Sequence, residues 1–101
     1  MSKLKDLNSQ LIDVTVDEKL LNFTISREDY NRYINAVMPN NKVAPANNFC
    51  VATVNDESKS ELKEILSNNP GSEVQIAAAV LEEYMPDLEI TAKKRSASPA
   101  Q

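Results

Sequence analysis

Apolar and polar residues alternate in two stretches near the N-terminus. Ile12, Val14 and Val16 oppose Asp13 and Thr15, and Leu21, Phe23 and Ile25 then oppose Asn22 and Thr24. Period-two alternation with β-branched residues predicts strands over residues 11–16 and 20–25, each with one buried and one wetted face. Asp17, Glu18 and Lys19 join them as a hairpin loop, although no Asn-Gly or Asp-Gly pair sets the register.

From residue 26 the period lengthens. Ser26 and Asp29 stand at capping-box spacing, and Tyr30, Tyr33, Ile34 and Val37 recur along one helical face. Pro39 ends that helix, because the residue before a proline is pushed out of the helical region. Pro45 suits the first position of a short second helix over residues 45–54. Ser58 and Glu61 form a second capping box ahead of Leu62, Ile65 and Leu66. Asn68, Asn69, Pro70 and Gly71 break this third helix, and Asn69 is expected to cap a fourth with Pro70 at its first position. Val74, Ala77, Ala78, Leu81 and Tyr84 form the stripe of that helix, widened by Ile76 and Val80. Ala77 and Ala78 are expected in a close helix contact. After Pro86, Leu88, Ile90 and Ala92 alternate with Glu89 and Thr91, which predicts a short last strand. A lone hairpin is marginal in water, so that strand is expected to join it in a three-stranded sheet. The expected fold is α+β: an N-terminal β-hairpin, about four helices and a short C-terminal strand. Residues 11–92 form one domain, residues 1–10 an N-terminal arm and residues 93–101 a disordered basic tail.

Composition narrows the chemistry. The 101 residues include no His, one Cys and one Gly, with a net charge of −4. Without His, the usual neutral-pH general base and the commonest metal ligand are missing. Cys50 alone makes neither an internal disulfide nor a Cys–His nucleophile, and one glycine builds no phosphate loop. These absences predict no catalytic residues, no cofactor and no metal. No apolar run approaches roughly 18 residues, and the first residues lack the apolar stretch of a secretory signal. Neither a membrane nor a nucleic acid is expected as a partner of so acidic a chain, and an intracellular, reducing compartment is the default.

Several clusters admit two readings. Glu82, Glu83, Asp87 and Glu89 read either as a cation site or catalytic carboxylate pair or as a solvated face, and the second is expected because neighbouring glutamates on a helix point about 100° apart and do not converge. Cys50, among Phe49, Val51 and Ala52, is either a reactive thiol or a buried hydrophobe, and the second is expected because no basic residue stands near it in sequence to activate it. Tyr30 and Tyr33 read as core residues with hydroxyls at the rim, and Tyr33 also as part of a partner surface. The stretch Met38, Pro39, Asn40, Asn41, Lys42, Val43, Ala44, Pro45 is either an ordinary turn between helices or a stiff, partly apolar recognition loop.

The run from Asp29 to Asn35, then Met38 to Phe49, resembles a family of small phage tail assembly chaperones. So do Pro70-Gly71, Gln75-Ile76-Ala77 and Glu83-Tyr84-Met85-Pro86-Asp87-Leu88-Glu89-Ile90. The likeness covers about residues 11–91. It implies a non-enzymatic protein that binds the tape measure protein and keeps it soluble while the tail assembles, with the tail tube protein as a second candidate partner. It also implies the bacterial host cytoplasm as its location and absence from the mature virion. A homo-oligomer is compatible with it. The expected partner-binding residues are Tyr33, Met38, Pro39, Asn40, Asn41, Lys42 and Pro45. The rival readings are a structural tail component, such as a terminator or connector subunit, and a small regulatory protein.

Overall fold

The computed structural model describes residues 9–95. Strands β1 (Gln10–Val16) and β2 (Lys19–Ile25) form an antiparallel hairpin with Ile12 opposite Phe23 and Val14 opposite Leu21. The connection is two residues long, and Asp17 and Glu18 both take positive φ, 49° and 73°. That is the conformation of a tight hairpin turn whose twist matches the strands, adopted here without glycine. Lys19 belongs to β2, and its ammonium reaches Glu61 at 3.0 Å.

Helix α1 (Arg27–Ala36) opens with the expected capping box: the Ser26 hydroxyl accepts from the Asp29 N–H, and Asp29 accepts from the Ser26 N–H. Helix α2 (Val43–Thr53) begins two residues earlier than expected, with Pro45 inside its first turn, where the missing N–H costs nothing. A 3₁₀ turn (Asp56–Ser58) leads into α3 (Lys59–Asn68), and α4 is Ser72–Tyr84.

Two expected caps are differently used. Ser58 precedes α3 but makes no capping bond, because its hydroxyl is engaged with Asn22 of β2. Asn69 does not open α4. It closes α3, donating its side-chain N–H to the Ile65 carbonyl at 2.9 Å, and Gly71 at φ +84° turns the chain into α4.

The core lies between the inner face of the hairpin and α2, α3 and α4. Leu21, Phe23, Ile25, Ala46, Cys50, Leu62 and Val80 are fully or almost fully buried there. Ala77 is buried in α4 but Ala78 is exposed, so the stripe is centred on Ile76, Ala77, Val80 and Leu81 and the expected contact at Ala78 is not made. Helix α1 contains no fully buried residue and attaches at the periphery through Tyr30 and Tyr33, leaving Ile34 exposed.

The outer face of β2 is not simply wetted. Thr24 is buried and donates to the Asn55 side chain at 2.7 Å, the Asn55 N–H donates to the Asn22 carbonyl at 2.8 Å, and Val54 bridges Phe23. The α2–α3 connection thus occupies the free edge of β2. The expected C-terminal strand does not form among the described residues. Residues 86–95 adopt no regular structure and are exposed, and the sheet has two strands rather than three. Lys93, Lys94 and Arg95 follow the same exposed course, while the rest of the expected tail and residues 1–8 of the expected arm lie outside the described residues.

Candidate interaction surface of the first two helices

Helices α1 and α2 meet as an antiparallel pair around a tight turn. The Met38 and Asn41 backbones exchange hydrogen bonds at 3.1 and 3.0 Å, with Pro39 and Asn40 at the tip. Proline at the first central position presets the φ such a turn requires. Met38, Pro39, Asn40, Asn41 and Lys42 are all exposed, as are the neighbouring Ile34 and Val43. Three large apolar side chains, Ile34, Met38 and Val43, are therefore exposed in the turn and its flanking helices. Pro45 is buried, and Tyr33 is half-buried. The seven expected partner residues therefore divide into five at the exposed tip and two that support a cleft behind it.

That cleft has a volume of about 170 Å³. One wall is Asp29, Arg32, Tyr33 and Ala36 from α1, and the other is Pro45, Asn48, Phe49 and Ala52 from α2, with Thr53 completing it. Each wall follows i, i+3, i+4, i+7 spacing, so each is one face of a helix. The Tyr33 and Phe49 rings, both part of its lining, touch each other in a tilted arrangement with centroids 5.0 Å apart. Burial pushes the Tyr33 phenol up from its ordinary range, with the nearby Cys50 adding a smaller effect. At the rim, Asp29 uses one carboxylate oxygen to accept from Ser26, and the other meets Arg32 at 3.4 Å. The Thr53 hydroxyl is turned away, donating to the Phe49 carbonyl at 2.7 Å. The arrangement is an aliphatic and aromatic slot with a polar lip, suited to an apolar side chain rather than to bond-making chemistry.

A second, wider depression of about 350 Å³ is lined by Arg27, Tyr30, Asn31, Tyr84, Met85, Pro86 and Leu88. The Tyr30 and Tyr84 rings meet in a tilted contact at 5.5 Å, and the Tyr30 hydroxyl reaches the Met85 sulfur at 3.6 Å. Cys50 lies in the core, donating to the Glu73 carbonyl at 3.7 Å, and burial pushes its thiol up to about 12. Among the described residues, no three His, Cys, Asp or Glu side chains come together to hold a metal ion. No described helix is long and apolar enough to cross a membrane.

Sequence reasoning reached the tip but missed Asp29, Arg32, Phe49 and Ala52 as parts of one cleft. The signal was present in the matched spacings of residues 29, 32, 33, 36 and 45, 48, 49, 52. It was hidden because Tyr30 and Ile34 drew the α1 stripe toward an adjacent face.

A family profile described as phage tail assembly chaperone matches residues 12–94. An uncharacterised 11.3 kDa protein encoded in the lys 3′ region of Haemophilus phage HP1 is 36% identical over 95 residues, covering 91% of this chain and 92% of that protein. The fold is similar to that of an uncharacterised protein from Bacillus stearothermophilus, with a TM-score of 0.62 at 16% identity over 90% of this chain and 97% of the other.

Proposed function

The chain belongs to the phage tail assembly chaperone family, and on that premise we propose that it binds the tape measure protein through the α1–α2 tip and cleft and keeps it soluble. The observation that carries this reading is the cluster of exposed Ile34, Met38 and Val43 beside a slot walled by Tyr33 and Phe49. A slot of about 170 Å³ accommodates a single leucine- or phenylalanine-sized side chain. A long amphipathic helix offers such side chains at regular intervals, and in water its apolar stripe drives aggregation. Met38 adds a flexible, polarisable contact that adapts to successive segments of such a client. The net charge of −4 favours a complex that stays dispersed and away from nucleic acid. In this reading the protein is a non-enzymatic helper acting in the host cytoplasm.

The test is co-expression with the tape measure protein encoded by the same phage. Wild type should raise the soluble fraction of the client. Met38→Ala/Lys42→Ala and, separately, Ala52→Trp, which fills the slot, should each reduce it while leaving the circular dichroism spectrum unchanged. Equal client recovery with all three proteins would refute the site. Stoichiometric recovery of the protein in purified virions would instead favour a structural tail component.

A further inference from the structure

Among the described residues, the sheet ends on an open edge. Asn22 directs both its N–H and its carbonyl away from β1, to Ser58 and Asn55, so its pairing with Asp13 is one of the non-hydrogen-bonded pairs of the ladder. By the alternation of an antiparallel ladder, Leu11, Asp13 and Thr15 direct their backbone groups away from β2, to the outer edge of β1. Among the described residues no backbone hydrogen bond reaches that edge. The strand is also undefended. Its sequence, QLIDVTV, carries one charge and neither the lysine nor the proline with which sheet edges are usually protected. Val14 and Val16, on its inner face, are only half-covered, and Leu11 on the outer face is exposed.

The same chain carries a segment with the complementary defect. Residues 86–95 run on from α4 in no regular element, with Leu88 64% and Ile90 80% exposed. Leu88, Ile90 and Ala92 alternate with Glu89 and Thr91, the pattern of a strand with one face to bury. Leu88 lines the second depression, yet residues 87–92 are all exposed. The six residues 87–92 nearly match the seven of β1. Laid parallel to β1, the segment brings the cationic Lys93, Lys94 and Arg95 beside the acidic Asp17-Glu18 turn.

We propose that residues 87–92 of one copy add to the outer edge of β1 in a second copy, so that two chains exchange strands and each completes a three-stranded sheet. Backbone hydrogen bonds to Leu11, Asp13 and Thr15 supply the pairing, and Leu88 and Ile90 bury their exposed area against the neighbouring sheet. Pro86, which stops α4, acts as the stiff hinge that keeps the segment off its own sheet. Exchange of an identical element is a low-cost route to a closed pair.

Sedimentation equilibrium over a concentration series, combined with hydrogen exchange, tests this on the full 101-residue chain. The chain should dimerise, with the Leu11, Asp13 and Thr15 amides gaining protection as the dimer forms. Leu88→Lys/Ile90→Lys removes the apolar part of the added strand and should raise the dimer dissociation constant by about a hundredfold. Thr15→Pro removes an outward-facing N–H at an exposed position without breaking the β1–β2 ladder and should have a similar effect from the other side. Both variants change exposed positions, so circular dichroism should show the folded state intact. A monomer at all concentrations overturns the proposal, as does a dimer indifferent to both substitutions. Protection of the same three amides that does not vary with concentration also overturns it, because the segment would then be pairing within its own chain.

Discussion

The Ser58 hydroxyl accepts a hydrogen bond from the Asn22 backbone N–H at 3.0 Å and donates one to the Asn22 side-chain oxygen at 3.2 Å. A residue at a helix N-terminus thus ties the start of α3 to the middle of β2. The hydroxyl is buried, so the bond that would have capped α3 is given up for one that satisfies a strand edge. Ser58→Ala should leave the Asn22 N–H unpaired and cost about 1–2 kcal/mol, read as a lower urea midpoint with an unchanged slope. Glu61→Gln, at the other end of the expected capping box, should change stability by no more than about 0.5 kcal/mol. Among the described residues Glu61 pairs with Lys19 at the surface, where an ion pair is worth little.

What could be read from the sequence divides by the range of the interaction. The hairpin, the Ser26–Asp29 box, the C-terminal ends of α1 and α4 and the apolar face of α3 follow from neighbours within about one helical turn. Ser58 and Asn69 carried correct local signals, but a partner 36 residues away in one case and the preceding helix in the other took those side chains. The C-terminal alternation was legible, yet pattern alone does not say which edge a strand meets, and Val54 and Asn55 had already taken that of β2. At the candidate surface the exposed tip from Met38 to Lys42 was legible because two prolines and paired asparagines mark a turn. The cleft was not, since it exists only where two helical faces are brought together.

The turn between β1 and β2 holds both Asp17 and Glu18 at positive φ, a region that costs a residue with a Cβ roughly 1–2 kcal/mol unless it is Asn, Asp or Gly. Asp17 is tolerated there, and Glu18 is the strained member. Asp17→Asn/Glu18→Gly should stabilise the protein by about 1 kcal/mol, offset in part by the greater freedom of glycine in the unfolded chain. A higher thermal midpoint with slower amide exchange at Val16 and Lys19 is the expected observation. A lower midpoint would mean that Glu18 makes a compensating contact.

Ala77 and Ala78 are chemically identical neighbours in different surroundings. Ala77 is fully buried where α4 packs on the core, and Ala78 is exposed. Ala77→Leu should overpack the interface and cost about 1–3 kcal/mol. Ala78→Leu should stay within about 0.5 kcal/mol of wild type. If the two variants have the same chemical-denaturation midpoint, α4 is rotated from the orientation described above.

Cys50 provides a pH-dependent test of the core. Burial, with a smaller contribution from Glu73, raises its thiol from an ordinary value of 9.0 to about 12. The folded chain therefore keeps its proton through a range in which the unfolded chain loses it. Between pH 9 and about 12 the unfolded state binds fewer protons, so unfolding becomes more favourable as pH rises. The stability associated with the neutral thiol is complete below pH 9 and is lost as pH climbs toward the folded value. Cys50→Ala should flatten this alkaline decline, at the cost of a small cavity that lowers stability at every pH. Urea midpoints for the two proteins should accordingly converge as pH increases. At pH 8 a thiol reagent should modify wild type only at the rate of global opening, because neither the thiolate nor access is available in the folded state. Fast labelling under native conditions would show that the α2–α4 contact opens locally, and the parallel-midpoint result would show that Cys50 does not titrate as its burial dictates.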